Sequence, residues 1–101
     1  MKVFDLARMT AYPYEQRERN VFYQVGEFKA RIIELPPGWR MPDCDMASHV
    51  IFCVLEGKAQ VWVNGRELTL QQNHCLVTEP ATLSMTSEQG VRMLGIQVAK
   101  D

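Results

Sequence analysis

Short runs of apolar and β-branched residues, separated by turn residues, extend along the whole chain. Residues 28–35 (FKARIIEL) end at two prolines and a glycine, where the prolines cannot donate the hydrogen bonds of a β-ladder. Residues 49–55 (HVIFCVL) are apolar at nearly every position, which predicts a strand covered on both faces. Shorter runs predict further strands at 20–25, 59–63, 67–70, 75–78, 81–86 and 91–99.

Two strong turn signals lie among these runs. The EGK triplet at 56–58 predicts a turn after the apolar run, and the NG pair at 64–65 is the strongest hairpin signal in the chain. No convincing helical periodicity is present, and residues 14–19 (YEQRER) are compatible with either a short helical turn or a solvated loop. Regularly recurring turns without helices predict an all-β sandwich or barrel.

Four segments belong together as a pattern that covers about two-thirds of the chain. They are LPPG at 35–38, VIFCVLEG at 50–57, VWVNG at 61–65 and the segment 70–85. As a set they resemble the cupin superfamily, specifically its small single-domain members. The resemblance implies an all-β, cupin-like jelly-roll barrel with little or no helix. We therefore expect a single domain over 1–101, with an N-terminal arm and first strand at 1–27 and the barrel core at 28–99.

Cupins carry metal ligands at fixed places relative to two glycines of their first motif. When LPPG and VLEG are aligned with these glycines, the two histidines fall on Cys44 and Met46, and the glutamate falls on Val50. The last histidine of the second motif falls on Ser84, so all four ligand positions are substituted. A thioether, a valine and a hydroxyl do not replace imidazole and carboxylate ligands. The resemblance therefore implies a barrel with no resident metal and no cofactor.

The chain has only two histidines, His49 and His74, and neither lies at a ligand position. Cys44 is the one strong ligand among the substituted positions, because a cysteine can bind as a thiolate. A pair of Cys44 and His49, as an unusual metal site or as a nucleophile with its base, is the alternative to a plain buried cysteine. No catalytic residue is assigned.

The expected ligand pocket contains the four substituted positions together with Phe52 and Arg40. Arg40 is expected near the mouth, where its guanidinium could pair with an anionic group. In the second motif, strand alternation would bury Leu83 and Met85, whereas the cupin alignment sends Ser84 into the barrel. Leu83 and Met85 can be buried while Ser84 points into the barrel if a partner subunit covers the outer face of this strand.

Composition and charge narrow the class of partner. The 101 residues carry 11 Lys and Arg against 12 Asp and Glu, so no broad basic surface for nucleic acid is expected. No signal-like or membrane-spanning apolar stretch is present, which predicts a cytoplasmic protein without a membrane partner. The three cysteines form no CxxC pair, and we expect free thiols, with Cys53 and Cys75 as small core residues.

These observations favour a metal-free protein that binds a small molecule, either sugar-like or carboxylate-bearing, in the barrel. One alternative is a small enzyme, an isomerase or lyase without metal or a metalloenzyme that uses Cys44 and His49. Another is a structural or interaction module with no working pocket. A homodimer is expected through the apolar outer side of 49–55. Trp62 lies on the outside of its strand, either as an anchor of that interface or packed under the N-terminal arm.

Overall fold

The computed structural model describes residues 1–99 and confirms the predicted all-β barrel. One short 3-10 helix precedes eight antiparallel strands. The helix is Tyr14–Asn20, and the strands are β1 (Val21–Gln24), β2 (Phe28–Leu35), β3 (Trp39–Met46), β4 (Val50–Val63), β5 (Arg66–Gln71), β6 (Cys75–Thr78), β7 (Ala81–Ser87) and β8 (Val91–Val98). Of the two readings of 14–19, the helical turn is the one observed.

Two sheets curl around a common interior and share the long strand β4. The first half of β4 pairs with β8 and β6, and β8 continues the sheet to β2 and β1. The second half of β4 pairs with β7 and β5, and β7 carries β3 at the edge. Since β4 belongs to both sheets, it connects the two walls of the barrel.

The turn predicted at 56–58 is wrong, because β4 continues through these residues. The pairing with β8 shifts between Val54 and Glu56, and Gly57 has a φ of +87°. A Cβ atom at Gly57 would lie 2.2 Å from the carbonyl oxygen of Gly90, a distance that no side chain can occupy. Only glycine therefore fits this bulge, which lets the strand bend from one sheet into the other.

The hairpin predicted at 64–65 is confirmed between β4 and β5. Asn64 and Gly65 have φ values of +50° and +83°, as a type I′ turn requires at both central residues. Strand β3 was not predicted from the sequence, because Pro42 and two aspartates break its apolar pattern. It forms because it pairs with β7 along most of its length.

The first nine residues cover part of the outer surface. The guanidinium of Arg92 donates to the carbonyl oxygens of Leu6, at 2.8 and 3.1 Å, and Met9, and it pairs with Glu34 at 3.0 Å. The Phe4 ring packs on Phe22 with centroids 4.8 Å apart. This arm is therefore held by both polar and aromatic contacts. None of the helical structure in residues 1–99 is long and apolar enough to cross a bilayer.

Candidate functional site

A cavity of about 250 Å³ occupies one end of the barrel interior. Its floor and walls are mainly apolar side chains from five strands, and the segment around the 3-10 helix forms part of its rim. The wall includes Ile33 of β2, Cys44 and Met46 of β3, Val50 and Phe52 of β4, Leu83 of β7 and Gly95 of β8. The volume is slightly below the roughly 300–1,000 Å³ of drug-sized sites, so it suits a small molecule.

Arg31 is the most enclosed charged side chain of this site. It lies opposite Gly95 in the β2–β8 pair, on the same face as Ile33, and its side chain is only 16% exposed. Its Nη2 lies 3.5 Å from the carboxylate of Glu18, which also lies 3.9 Å from Nζ of Lys29. In the part of the chain that the structure describes, the charged residues that line the cavity are two arginines and three acidic residues, namely Arg17, Arg31, Glu18, Glu34 and Asp45. Of these, Arg31 is the one enclosed in the wall.

Sequence reasoning missed Arg31, although a signal was available. Residues 31, 33 and 35 alternate along β2, so an arginine shares the inward face with Ile33 and Leu35. A charged residue on an otherwise apolar inward face is more informative than an exposed one. The alternation alone could have drawn attention to it.

Cys44 and Met46 face the cavity side by side. The Cys44 thiol lies 3.6 Å from the Met46 sulfur, to which it can donate a weak hydrogen bond. A thioether cannot accept a proton as a general base, so this pair does not form the nucleophile-and-base arrangement of covalent catalysis. A bulge between Met41 and Cys44 restores the inward orientation of the later residues of β3.

The structure corrects the expected placement of Ser84. In the β4–β7 pair, Val63 lies opposite Leu83 and Trp62 lies opposite Ser84, so Leu83 and Ser84 face opposite sides of the sheet. Leu83 is fully buried and lines the cavity, while Ser84 does not. Strand alternation was therefore the correct guide at this position, and the cupin alignment was displaced by one residue.

Arg40 also lies away from the cavity. Its side chain is 59% exposed, its Nη2 is 4.0 Å from Asp43, and its guanidinium sits 5.9 Å from the centre of the Trp62 ring. Because Met41 points into the core, its neighbour in the strand must point outward. Arg40 and Trp62 thus share the outer face. The homodimer through the outer side of 49–55, with Trp62 as a candidate anchor, stays a prediction.

The side chains present do not fit the metal centre that the fold implies. His49 is exposed and does not line the cavity with Cys44, so the structure does not bring that alternative pair together. His74 lies on the surface, where its Nδ1 accepts a hydrogen bond from the Gln71 amide at 3.1 Å. Within residues 1–99, no three histidine, cysteine, aspartate or glutamate side chains cluster to hold a metal. One thiol among thioethers and hydrocarbons does not make the family's imidazole and carboxylate donor set.

The rim of the cavity is tied to the barrel by Asn20. This side chain is 5% exposed, accepts a hydrogen bond from the Tyr12 amide at 2.7 Å and donates one to the Tyr12 carbonyl at 3.0 Å. Tyr12, Tyr14 and Arg17 line the cavity, and the Arg17 guanidinium stacks 4.3 Å above the Tyr14 ring. The helical turn therefore places two phenol rings beside the opening.

The sequence matches no protein-family model and no curated protein. Solved structures resemble the fold. TT1209 from Thermus thermophilus has a TM-score of 0.85 at 20% identity over 100% of both chains. A cupin superfamily protein from Desulfitobacterium hafniense has a TM-score of 0.74 at 12% identity, over 79% of this chain and 74% of that one. Salicylate 1,2-dioxygenase from Pseudoaminobacter salicylatoxidans has a TM-score of 0.68 at 18% identity, over 71% of this chain and 20% of that one.

The fold and the cavity define a small antiparallel β-barrel with an opening at one end. This barrel has the cupin fold, which confirms the resemblance seen in the sequence. At identities between 12% and 20% the likeness concerns the fold alone. The matched region is only 20% of the length of the dioxygenase, so the activity of that enzyme is not assigned to this chain.

Proposed function

We propose that the protein binds a small carboxylate-bearing molecule in the barrel cavity, without a resident metal. The observation that supports this most directly is the guanidinium of Arg31 in the cavity wall. A charged group that is largely removed from water requires hydrogen-bond partners. A carboxylate is the ligand group that matches the planar fork of an arginine.

The contact with Glu18 leaves room for such a ligand. At 3.5 Å it is longer than the roughly 2.7–2.9 Å of a good charge-assisted hydrogen bond. Glu18 is 72% exposed and has Lys29 as a second partner at 3.9 Å. A ligand carboxylate can therefore replace Glu18 at Arg31, while Glu18 keeps a cation and the solvent nearby.

The rest of the cavity favours an apolar body on the ligand. Phe52 and Leu83 provide rigid apolar surface, and the thioether of Met46 can adapt its shape to the bound group. Tyr12 and Tyr14 add aromatic residues to the lining at the rim. Small-molecule sites combine apolar wall surface with polar groups that fix the orientation of the ligand, and this cavity has both.

A matched pair of probes tests the proposal. Benzoate and its neutral amide, benzamide, differ in charge but little in shape, and glucose serves as a sugar probe. We expect benzoate to shift the NMR signals of the Met46 and Val50 methyl groups. Benzamide should bind at least about tenfold more weakly, because a hydrogen bond to a charged group contributes about 1.5–3 kcal/mol.

Two variants locate the charge that is responsible. Arg31→Met should weaken benzoate binding by about tenfold or more, whereas Arg40→Met makes the same charge change on the outer face and should leave binding unchanged. Thermal unfolding of both variants shows whether they are folded. Benzoate affinity that survives Arg31→Met would contradict the proposal, as would binding of glucose or benzamide but not benzoate.

A further inference from the structure

Two thiols meet on the outer surface, away from the cavity. Cys53 of β4 and Cys75 of β6 are directly opposed in their antiparallel pair, and their Sγ atoms lie 2.8 Å apart. Cys75 is exposed and Cys53 is half-buried. The sequence prediction that both are core residues is wrong, because Cys53 faces away from its neighbours Phe52 and Val54, which pack inside the barrel.

The strand pairing places these thiols where a disulfide fits. The Val54 amide donates to the His74 carbonyl at 2.9 Å, so the adjacent Cys53 and Cys75 occupy a pair without backbone hydrogen bonds between them. Opposed Cα atoms of such pairs are about 4.5 Å apart, within the roughly 4.4–6.8 Å that disulfides span. No rearrangement of the backbone is needed to join the two sulfurs.

We propose that Cys53 and Cys75 are a thiol modification site, which a low-molecular-weight disulfide such as oxidised glutathione converts into a reversible disulfide within one chain. Two S–H bonds of the protein are lost and one S–S bond forms. The S–S bond of oxidised glutathione breaks at the same time. It takes up the two electrons and two protons and leaves as two glutathione thiols.

The exchange begins at Cys75, because its sulfur is the accessible one. Cys75 loses its proton to water, and its thiolate attacks one sulfur of oxidised glutathione. This step breaks the S–S bond of glutathione, forms a mixed disulfide and releases the first glutathione as a thiolate, which takes a proton from water. Cys53 then loses its proton to water, and its thiolate attacks the Cys75 sulfur. The second glutathione leaves as a thiolate and takes a proton from water.

The environment of Cys53 supports this order of events. Burial, followed by the hydrogen bond to Cys75 and the charge of Cys75, raises the pKa of Cys53 to about 11. The two effects of Cys75 disappear when that sulfur is in a neutral mixed disulfide. Burial, the largest cause, remains, so Cys53 is slow to ionise and Cys75 acts as the first nucleophile.

The bond would join an edge strand to the centre of the sheet. β6 pairs with β4, and the two cysteines are 22 positions apart in sequence. A second chain cannot compete with a thiol held 2.8 Å away, because the effective concentration within one chain is far higher. The inference does not depend on any ligand in the cavity.

Thiol counting on the folded protein tests this inference directly. Reduced protein is equilibrated in buffers with an increasing ratio of oxidised to reduced glutathione. The remaining free thiols are then alkylated, and the mass of the protein is measured by mass spectrometry. We expect two of the three thiols to disappear together with the mass of two hydrogen atoms. The midpoint of thermal unfolding should rise by about 10 °C on oxidation, since the bond closes a loop in the unfolded chain.

Two variants assign the bond. Cys44→Ser should keep the full response, because that thiol lies in the cavity, whereas Cys75→Ser should lose both the mass change and the thermal shift. The inference is overturned if all three thiols stay free in wild type, or if Cys75 stops at the mixed disulfide with glutathione. Chains joined to each other on a non-reducing gel would equally contradict it.

Discussion

The two ends of the barrel interior share strands but differ in packing. At the packed end, Val54, Val61, Met85 and Met93 are at most 1% exposed and leave no room for a ligand. At the cavity end, the same strands β4, β7 and β8, joined by β2 and β3, surround an open space of about 250 Å³. Both ends use inward-facing positions of alternating strands, so alternation alone does not separate them.

Side-chain size and charge account for the difference. Gly95 of β8 has no side chain where Met93, two positions earlier on the same face, fills the packed end. Arg31 lies opposite Gly95, and a guanidinium cannot be packed against hydrocarbon without a partner. The packed end therefore contributes stability to the fold, and the cavity end presents the charged group that a ligand could bind.

The largest expected effect comes from truncating the packed end. Met93→Ala should lower the free energy of unfolding by about 2–5 kcal/mol, because a fully buried side chain leaves a void that its neighbours cannot fill. Met46→Ala is the matched control at the cavity end, where the side chain is only half-buried and the cost should be clearly smaller. Urea unfolding measures both, and equal losses would show that the two ends are packed alike.

A smaller effect is expected from filling the cavity end. A Cβ at Gly95 would lie 2.8 Å from Cδ1 of Ile33, so Gly95→Ala must displace the end of that side chain, which lines the cavity. We expect a loss of about 1 kcal/mol in the free energy of unfolding, because the end of a flexible side chain can shift, together with weaker benzoate binding. Gly26→Ala is the control, because nothing lies within 4 Å of the position that its Cβ would take. Unchanged benzoate affinity in a folded Gly95→Ala protein would count against the assignment of this end as the site.

The smallest effect is expected from Ser84→Ala. Its hydroxyl faces away from the cavity, so removing it should leave benzoate affinity unchanged. Because Ser84 is a buried residue, the loss of its one hydroxyl should change the free energy of unfolding by less than about 1 kcal/mol. Leu83→Ala, one position earlier, should lower both the benzoate affinity and the free energy of unfolding, because Leu83 packs in the core and lines the cavity. Titration of benzoate into the two variants shows which of the two residues faces the cavity. A larger effect of Ser84→Ala than of Leu83→Ala would support the cupin alignment, in which Ser84 points into the barrel.

Local chemistry explains the parts of the fold that were predictable. The NG pair determines the hairpin between β4 and β5 through its positive φ values, which depend on two residues only. The apolar run that begins β4 and the run 28–35, which ends at two prolines, likewise predicted strands where the structure has them. The turn predicted at 56–58 was wrong, because Gly57 bends a continuous strand instead of ending it.

The site was less predictable because it depends on single-residue register. Cys44, Met46 and Val50 line the cavity where the alignment placed them, and Phe52 lines it as predicted. Their contact with a ligand stays a prediction. The alignment of Ser84 with a ligand position was displaced by one residue. A shift of one residue along a strand moves a side chain to the opposite face of the sheet. Arg40 was expected at the mouth, but its side chain is exposed on the outer face of β3.

The sequence by itself determined the all-β class, the hairpin at 64–65 and the absence of the usual ligand histidines, because these depend on local propensity and residue identity. Only the tertiary structure decided that Arg31 faces the cavity and that Cys53 meets Cys75. Both are relations between strands far apart in the chain. Strand pairing and register bring these residues together. Both depend on how the whole barrel packs, which no single segment of the sequence determines.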